Sequence, residues 1–455
     1  MQLLGNSEKP SYMKNKINFT PPQLLVMGFA LTILLGAAFL SMPFSSASGQ
    51  YTEFTTALFT STSAVCVTGL VVVDTGTYWS HAGQFIILLL IQIGGLGFMT
   101  MATFIYLLMG KKIGLRNRLI LQESLNQNSL QGIVRLSKYV LITTFLLEMF
   151  FAAILSVRWG MDMGYPRAIW FGIFHSISAF NNAGFDLFGG FRSITGYVGD
   201  TVVNLSIATL IILGGIGFSV IIDLLNYRKR KALFTHTKLA LCTTAVLLAA
   251  GTLLIFLFEL DNMLRGLCPW GKFLASFFQS VTSRTAGYNT LDIAHLHSYT
   301  QFLIVILMFI GASPGSTGGG IKTTTFSLLA LAVLSLVRGK VFTQVFKRTI
   351  TQDQVIKALA VLMLAIILVV TVSIALMVVE NQENFLLVLF ETVSAFGTVG
   401  LSMGLTPELS HAGRLLIIMT MFLGRVGTIT AVFALTQRTR KTQRIKYPED
   451  KILIG

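Results

Sequence analysis

Long apolar runs separated by short polar segments dominate this sequence. Runs of roughly 20 residues recur at 24–40, 85–108, 139–157, 202–225, 239–258, 302–337, 358–379 and 415–435. A helix needs about 20 apolar residues to cross about 30 Å of hydrocarbon. The pattern therefore predicts an all-α integral membrane protein with eight transmembrane helices.

A second pattern lies between the two runs of each consecutive pair. An apolar stretch containing Phe passes through Ser and Thr to a glycine, in segments 57–70, 172–185, 276–288 and 388–401. As a helix, each stretch of about 11 residues is about 16 Å long, half of the membrane thickness. Backbone that turns at membrane depth must be buried in protein or line water. The sequence therefore predicts four half-membrane pore helices in four membrane–pore–membrane repeats around one central pore.

The charged residues set the orientation. The chain of 455 residues is 53% hydrophobic and 12% charged, with a formal net charge of +15. Lys and Arg concentrate in every second connection and in the tail, as in Arg228–Lys231. Under the positive-inside rule, this bias places both termini in the cytoplasm. Nucleic-acid binding is disfavoured because the basic residues fall at span ends and form no separate domain.

These boundaries divide the chain into cytoplasmic and membrane segments. The cytoplasmic segments are the N-terminus 1–21, the linkers 111–136, 228–237 and 338–354, and the tail 438–455. The membrane repeats are 22–110, 137–227, 238–337 and 355–437.

The four glycine loops are the candidate ion-binding residues. Glycine adopts backbone angles that a side chain would forbid, which lets carbonyl oxygens turn inward and replace the hydration shell of a cation. The alternative is that these small residues only let membrane helices pack closely. The predicted selectivity filter for a cation consists of Val67, Thr68, Gly69, Asn182, Ala183, Gly184, Thr285, Ala286, Gly287, Thr398, Val399 and Gly400.

The sixth span contains an interruption that predicts a gate. Proline removes a helical donor and each interior glycine costs about 1 kcal/mol, so this helix should break at membrane depth. We expect no such break in the other inner spans. A passive helix kink is the alternative. The predicted intramembrane gating loop, 311–322, contains Gly311, Ala312, Ser313, Pro314, Gly315, Ser316, Thr317, Gly318, Gly319, Gly320 and Lys322.

Arg425 lies in the last apolar run, just past Gly424. A charge at this depth is costly unless it is paired or faces water, so we expect Arg425 to face the pore below the filter. A fixed positive charge there would oppose cation passage. A structural arginine bonded to backbone carbonyls is the alternative, and both roles are compatible. We also expect Arg284 to brace the third loop from behind.

No catalytic constellation is recognisable among the six His and three Cys residues, so we predict that the chain is not an enzyme and carries no covalent cofactor. Residues 315–323 resemble a phosphate-binding loop, but Lys322 stands one residue too late and no strand–helix unit surrounds it. Residues 196–200 resemble a potassium-channel filter but lack a preceding pore helix, which indicates an outer loop.

The four loops, the segment GASPGSTGGGIKT and the pair Gly424-Arg425 occur in the order found in a known family. Over about residues 20–440, the chain resembles the TrkH/TrkG/KtrB/HKT superfamily of potassium transporters, and within it the KtrB branch most closely. The resemblance implies potassium uptake across the bacterial plasma membrane, with Na+ stimulation left open. It also implies a homodimer surrounded by membrane lipids, and a KtrA-like cytosolic nucleotide-binding ring that would bring the only nucleotide.

An Na+-coupled secondary transporter with alternating access is the alternative function. Inverted repeats and paired broken helices would indicate that class. The repeats here run in the same order, and the sequence predicts only one grossly broken inner span. These two expectations favour a channel-like pore.

Overall fold

One arrangement of helices occurs four times along the chain. The computed structural model describes residues 20–97, 100, 114–124, 133–340, 342–427 and 430. Most of the predicted N-terminal segment, part of the first linker, the ends of the second and eighth spans and the tail 438–455 therefore lie outside the described residues. In chain order the helices are α1 (Pro21–Leu40), α2 (Phe54–Cys66), α3 (Thr75–Tyr78), α4 (His81–Leu96), α5 (Leu115–Ser124), α6 (Ile133–Met163), α7 (Tyr165–Phe180), α8 (Thr201–Gly215), α9 (Phe218–Leu225), α10 (Tyr227–Arg230), α11 (Thr235–Phe258), α12 (Pro269–Thr282), α13 (Ser298–Phe309), α14 (Thr323–Val337), α15 (Gln352–Glu380), α16 (Phe385–Gly397), α17 (Leu405–Glu408) and α18 (His411–Val426).

Short elements connect these helices. Three 3-10 helices cover Pro43–Ser45, Thr195–Tyr197 and Ile293–His295. The strands β1 (Gln344–Val345) and β2 (Arg348–Thr349) form an antiparallel hairpin in the third predicted cytoplasmic linker.

The outer helices α1, α6, α11 and α15 are continuous membrane spans. They contain 20, 31, 24 and 29 residues, and each is long and apolar enough to cross a bilayer. The pore helices α2, α7, α12 and α16 contain 13 to 16 residues, so they are about 20 to 24 Å long. The predicted all-α fold of four membrane–pore–membrane repeats is confirmed, with pore helices somewhat longer than the expected stretch. The exact repeat boundaries stay predictions.

A recurring hydroxyl bond joins outer and pore helices in the first three repeats. The Oγ atoms of Ser61, Ser176 and Ser280 donate to outer-helix carbonyls, those of Ile33, Glu148 and Leu248, at 2.7, 2.6 and 3.0 Å. A small hydroxyl residue satisfies its own polar group while it allows two helices to approach closely. In these three repeats, a Ser residue of the stretch therefore fixes the pore helix against its outer helix.

The inner helices differ from expectation, because a helix bends sharply in the second repeat and ends at a glycine inside the predicted span in the first and fourth. Helix α4 ends at Leu96 before Gly97 (φ 80°), and α18 ends at Val426 before Gly427 (φ 90°). Helices α8 and α9 meet at 98° around Gly217, whose φ is 94°. The expectation that only the sixth span is grossly broken is wrong. A glycine in the left-handed region ends a right-handed helix without proline.

Candidate functional site

The four predicted loops share one unusual backbone conformation. Two residues before each loop glycine, the backbone is left-handed at Val67, Asn182, Thr285 and Thr398, with φ of 53°, 58°, 74° and 49°. Positive φ is rare for residues with a side chain and an outlier for β-branched ones, so surrounding contacts must hold it. The glycines Gly69, Gly184, Gly287 and Gly400 also have positive φ, from 69° to 91°.

The loops meet in a closed ring. A Cβ placed on Gly69 would lie 2.4 Å from the carbonyl oxygen of Ala183, the middle residue of the second loop. The same contact links the second loop to the third at 2.5 Å, the third to the fourth at 2.5 Å, and the fourth back to the first at 2.1 Å. Any side chain at these glycines would collide with a neighbouring loop. Close approach, as well as backbone freedom, therefore requires glycine here.

Hydroxyl groups at the ends of the pore helices support the ring from behind. Ser63 Oγ accepts the Gly69 amide at 3.0 Å, and Ser394 Oγ accepts the Gly400 amide at 3.1 Å. In the other two loops, Ser178 donates to the Phe185 carbonyl and Thr282 donates to that of Tyr288. The loop backbones are thus bonded to rigid helices, which fixes the positions of their carbonyl groups.

An outer cavity of about 680 Å³ lies on one side of the ring, and all four loop glycines line it. Asp186 and Asp292 also line this cavity, so two acidic groups lie just outside the loops. Burial raises the pKa of Asp186 to about 7. The 3-10 helix Thr195–Tyr197 lies beside the cavity, so the filter-like segment 196–200 is an outer connection.

The predicted gating loop connects α13 and α14, and its two ends lie side by side. An isolated bridge pairs Ile310 with Ile321 in parallel. The loop packs against the break between α8 and α9. There the amides of Ser313 and Thr317 donate to the carbonyls of Gly215 and Gly214 at 2.9 and 3.2 Å. The Phe218 amide returns a 2.8 Å bond to the carbonyl of Gly315. The third repeat therefore places its insertion on the inner helix of the second.

The end of this loop lies against the side of the ring opposite the outer cavity. A Cβ on Gly318 would lie 2.1 Å from Thr285 Oγ1, and one on Gly319 would lie 2.4 Å from Thr398 Oγ1. The loop backbone thus contacts the side chains of two of the left-handed residues. On its other side lies an inner cavity of about 360 Å³, which Gly318 and Gly320 line.

Arg425 and Lys322 line the inner cavity and bond to backbone. The Arg425 guanidinium donates to the carbonyls of Thr317, Gly94 and Gly95. It therefore joins the loop of the third repeat to the last turn of α4 in the first. Lys322 Nζ donates to the Gly318 carbonyl at 2.7 Å. Arg425 thus faces the cavity and is also bonded to carbonyls, and both roles suggested for it stay predictions.

Two further charged residues, Arg284 and Glu391, lie behind the loops. Arg284 is buried and donates to the Gly311 carbonyl at 3.4 Å, so it braces the third loop against the start of the insertion. Glu391 is fully buried and accepts bonds from the Ser402 and Thr406 hydroxyls at 2.5 and 2.6 Å and from the Met403 amide at 3.0 Å. These groups hold the chain just past the fourth loop.

Two features escaped the sequence analysis. No residue preference signals the left-handed conformation of Val67 and Thr398, although their equal spacing from the loop glycines marks them as counterparts. The buried group formed by Glu148, Gln92 and Asn181 was also missed, although a single carboxylate in the run FLLEMFF is a signal by itself. Among the described residues, no group of three or more His, Cys, Asp or Glu side chains could hold a metal ion.

Spanning helices, four reentrant pore helices and a closed ring of backbone loops define a multi-pass membrane ion transporter. The TrkH family, described as cation transport proteins, matches residues 6–442. The chain belongs to this family, which confirms the resemblance drawn from its motifs. Since the family consists of transporters, the prediction that the chain is not an enzyme is also confirmed.

Several full-length relatives are similar to the chain. Ktr system potassium uptake protein B of Bacillus subtilis is 45% identical over 96% of this chain and 98% of that protein. Potassium/sodium uptake protein NtpJ of Enterococcus hirae is 40% identical over 97% of this chain and 99% of its own length. The crystal structure of the potassium transporter TrkH from Vibrio parahaemolyticus superposes with a TM-score of 0.72 at 20% identity, covering 93% of this chain and 86% of that one.

Proposed function

We propose that the chain is the K+-translocating subunit of a potassium uptake system, with the four loops as its selectivity filter. The observation that carries this proposal is the closed ring in which each loop glycine touches the middle carbonyl of the next loop. Backbone oxygens held at fixed spacing can replace the hydration shell of a cation. The pore helices direct the negative ends of their dipoles toward the ring, which favours positive charge there. Names of the relatives from Bacillus subtilis and Vibrio alginolyticus support potassium as the ion.

The segment 311–322 serves as the gate in this proposal. It lies between the ring and the inner cavity, and it contacts the side chains of Thr285 and Thr398 through the glycines Gly318 and Gly319. Arg425 stabilises the closed position through the Thr317 carbonyl and places a positive charge on the ion route. Opening would move the loop aside on the hinge formed by Ile310 and Ile321.

We base the proposed regulation and assembly of the chain on its Ktr relatives. The term "Ktr system" in their names supports a partner, and we propose a cytosolic nucleotide-binding regulatory subunit together with a homodimer in the plasma membrane. Both termini would lie in the cytoplasm, on the side of the basic linkers. K+ is then the transported ion. The name of the Enterococcus relative supports Na+ as a second ion that stimulates or accompanies transport.

Na+-coupled transport by alternating access is a second candidate, and one observation favours it. The sequence predicted a break only in the inner helix of the third repeat. A second break, between α8 and α9, and the helix ends at Gly97 and Gly427 could serve as further hinges around the pore. Against it, the repeats run in the same direction and one closed ring spans the ion route. We therefore rank the gated pore first.

Rubidium uptake into proteoliposomes separates these candidates. The purified protein is reconstituted, and the membrane potential and the Na+ gradient are varied independently. A gated pore accumulates Rb+ according to the potential alone, excludes Na+, and gives the same equilibrium distribution with or without a Na+ gradient. Uphill Rb+ accumulation driven by a Na+ gradient at zero potential would establish coupling and reject the pore.

A further inference from the structure

A buried carboxyl group on an outer helix distinguishes the second repeat from the others. Glu148 lies on α6 and is 2% exposed. Its backbone carbonyl receives the Ser176 hydroxyl, as the carbonyls of Ile33 and Leu248 receive Ser61 and Ser280. The three residues therefore occupy equivalent positions, and the other two are apolar. Packing of the pore helix at this position does not require a carboxylate.

The Glu148 carboxyl bonds to side chains from two other elements. Oε2 accepts the amide of Gln92, on inner helix α4, at 3.0 Å. Oε1 accepts the amide of Asn181, at the end of pore helix α7, at 3.1 Å. Asn181 Nδ2 also donates to Gln92 Oε1 at 2.7 Å, so the three side chains form a closed triangle. All three are buried, and loss of any one leaves polar atoms of the others without partners.

The triangle connects the ring to the end of α4. Asn181 directly precedes the left-handed residue Asn182 of the second loop. On its other side, Asn181 Oδ1 abuts Gly95, where a Cβ would lie 2.0 Å away. The carbonyl of Gly95 is an acceptor for Arg425. One set of contacts therefore runs from the second loop through Asn181 to the helix end that Arg425 holds.

An ionisable side chain inside the membrane is costly, and such residues mark functional positions. Apolar residues stand at the equivalent positions of repeats 1 and 3, so the carboxyl serves a need specific to repeat 2. We propose that Glu148 is a positioning residue for ion selectivity, which holds Asn181, and with it the second loop, in register with α4. This inference rests on the proposed function of the loops as a filter.

Two substitutions at Glu148 test the proposal against a matched control. Glu148→Leu installs the residue type of the other repeats and removes both bonds, while Glu148→Gln keeps one acceptor oxygen. Glu259→Gln is the control, because Glu259 is an equally buried carboxyl that accepts the Asn262 amide and the His297 backbone amide, away from the loops. Each protein is reconstituted, and the ratio of Rb+ to Na+ uptake is measured beside thermal stability in detergent.

We expect Glu148→Leu to lower the Rb+/Na+ uptake ratio by about tenfold, as loss of two buried hydrogen bonds implies. Glu148→Gln should fall between that variant and the wild type, and Glu259→Gln should keep the wild-type ratio. If Glu148→Leu does not fold, Glu148→Gln decides alone. Wild-type ratios in both Glu148 variants, or an equal loss in the control, would overturn the positioning role. A wild-type protein that does not discriminate Rb+ from Na+ would instead overturn the proposed filter.

Discussion

Arg425 joins the predicted gate to the rest of the pore, so its removal has a calculable effect. Its guanidinium donates to the Thr317 carbonyl in the loop and to the carbonyls of Gly94 and Gly95 in α4. The two groups of acceptors belong to different repeats. When the loop moves aside, the bond to Thr317 breaks, while the bonds to α4 can persist.

The magnitude follows from that single bond. A hydrogen bond to a charged donor contributes about 1.5 to 3 kcal/mol, and each 1.4 kcal/mol changes an equilibrium tenfold. Arg425→Ala therefore shifts the loop from closed toward open by about 10- to 100-fold. If the wild-type pore is mostly closed, Rb+ flux at equal expression should rise by a similar factor until the loop is fully open.

A second variant separates the bond from the charge. Arg425→Lys keeps the positive charge on the ion route but loses the planar fork that reaches both groups of carbonyls. If the bond to Thr317 keeps the pore closed, Arg425→Lys should conduct nearly as well as Arg425→Ala. If the charge itself opposes the cation, Arg425→Lys should remain close to the wild type.

The assay is Rb+ flux into proteoliposomes at a fixed K+ diffusion potential, normalised to protein content. Arg414→Ala is the control, since Arg414 lies on the same helix α18 but bonds to Thr56 and to the Leu409 carbonyl, away from the loop. Flux through Arg425→Ala that equals or falls below the wild type would refute both the bond and the barrier as obstacles to conduction.

Three further predictions concern the ring and the residues around it. Gly400→Ala places a methyl group 2.1 Å from the Thr68 carbonyl oxygen, so Rb+/Na+ discrimination should be lost in uptake assays, and unchanged discrimination would contradict the ring geometry. Burial raises the pKa of Asp186 to about 7, so its negative charge is present above that pH and lost below it. Rb+ uptake at low concentration should therefore fall as external pH drops from about 8 to about 6, and Asp186→Asn should remove this dependence; a persistent slope assigns it elsewhere. Glu391→Ala leaves the Met403 amide without its acceptor and should destabilise the protein by about 2 to 4 kcal/mol in thermal unfolding. Glu391→Gln should destabilise it much less, because the Thr406 hydroxyl can accept a hydrogen bond from the new amide instead of donating one.

The sequence predicted the features that repeat. Four stretches ending in Gly69, Gly184, Gly287 and Gly400 have similar spacings to their spans, and a closed arrangement of four similar units is the simplest use of them. The interruption at Pro314 was equally clear, because proline and clustered glycines oppose a helix whatever surrounds them. Such features depend on local chemistry, which a single sequence contains.

The features that depend on tertiary contacts were missed. Gly94 and Gly97 look alike in the sequence, yet Gly94 lets α4 approach the Val65 carbonyl of the pore helix while Gly97 ends the helix. Val67 disfavours the left-handed region by its own preference and adopts it because the ring requires that turn. The Glu148 triangle draws on three helices that are far apart in the chain.

The ends of the inner helices provide the hydrogen-bond acceptors that hold the proposed gate closed. A broken helix leaves carbonyl groups without intrahelical partners and concentrates negative potential at its end. At the end of α4, the Arg425 guanidinium donates hydrogen bonds to the carbonyls of Gly94 and Gly95. At the corresponding end of α8, the loop amides of Thr317 and Ser313 donate to the carbonyls of Gly214 and Gly215. Opening must release part of these bonds, and the freed carbonyls would then face a water-filled pore where they attract the permeating cation.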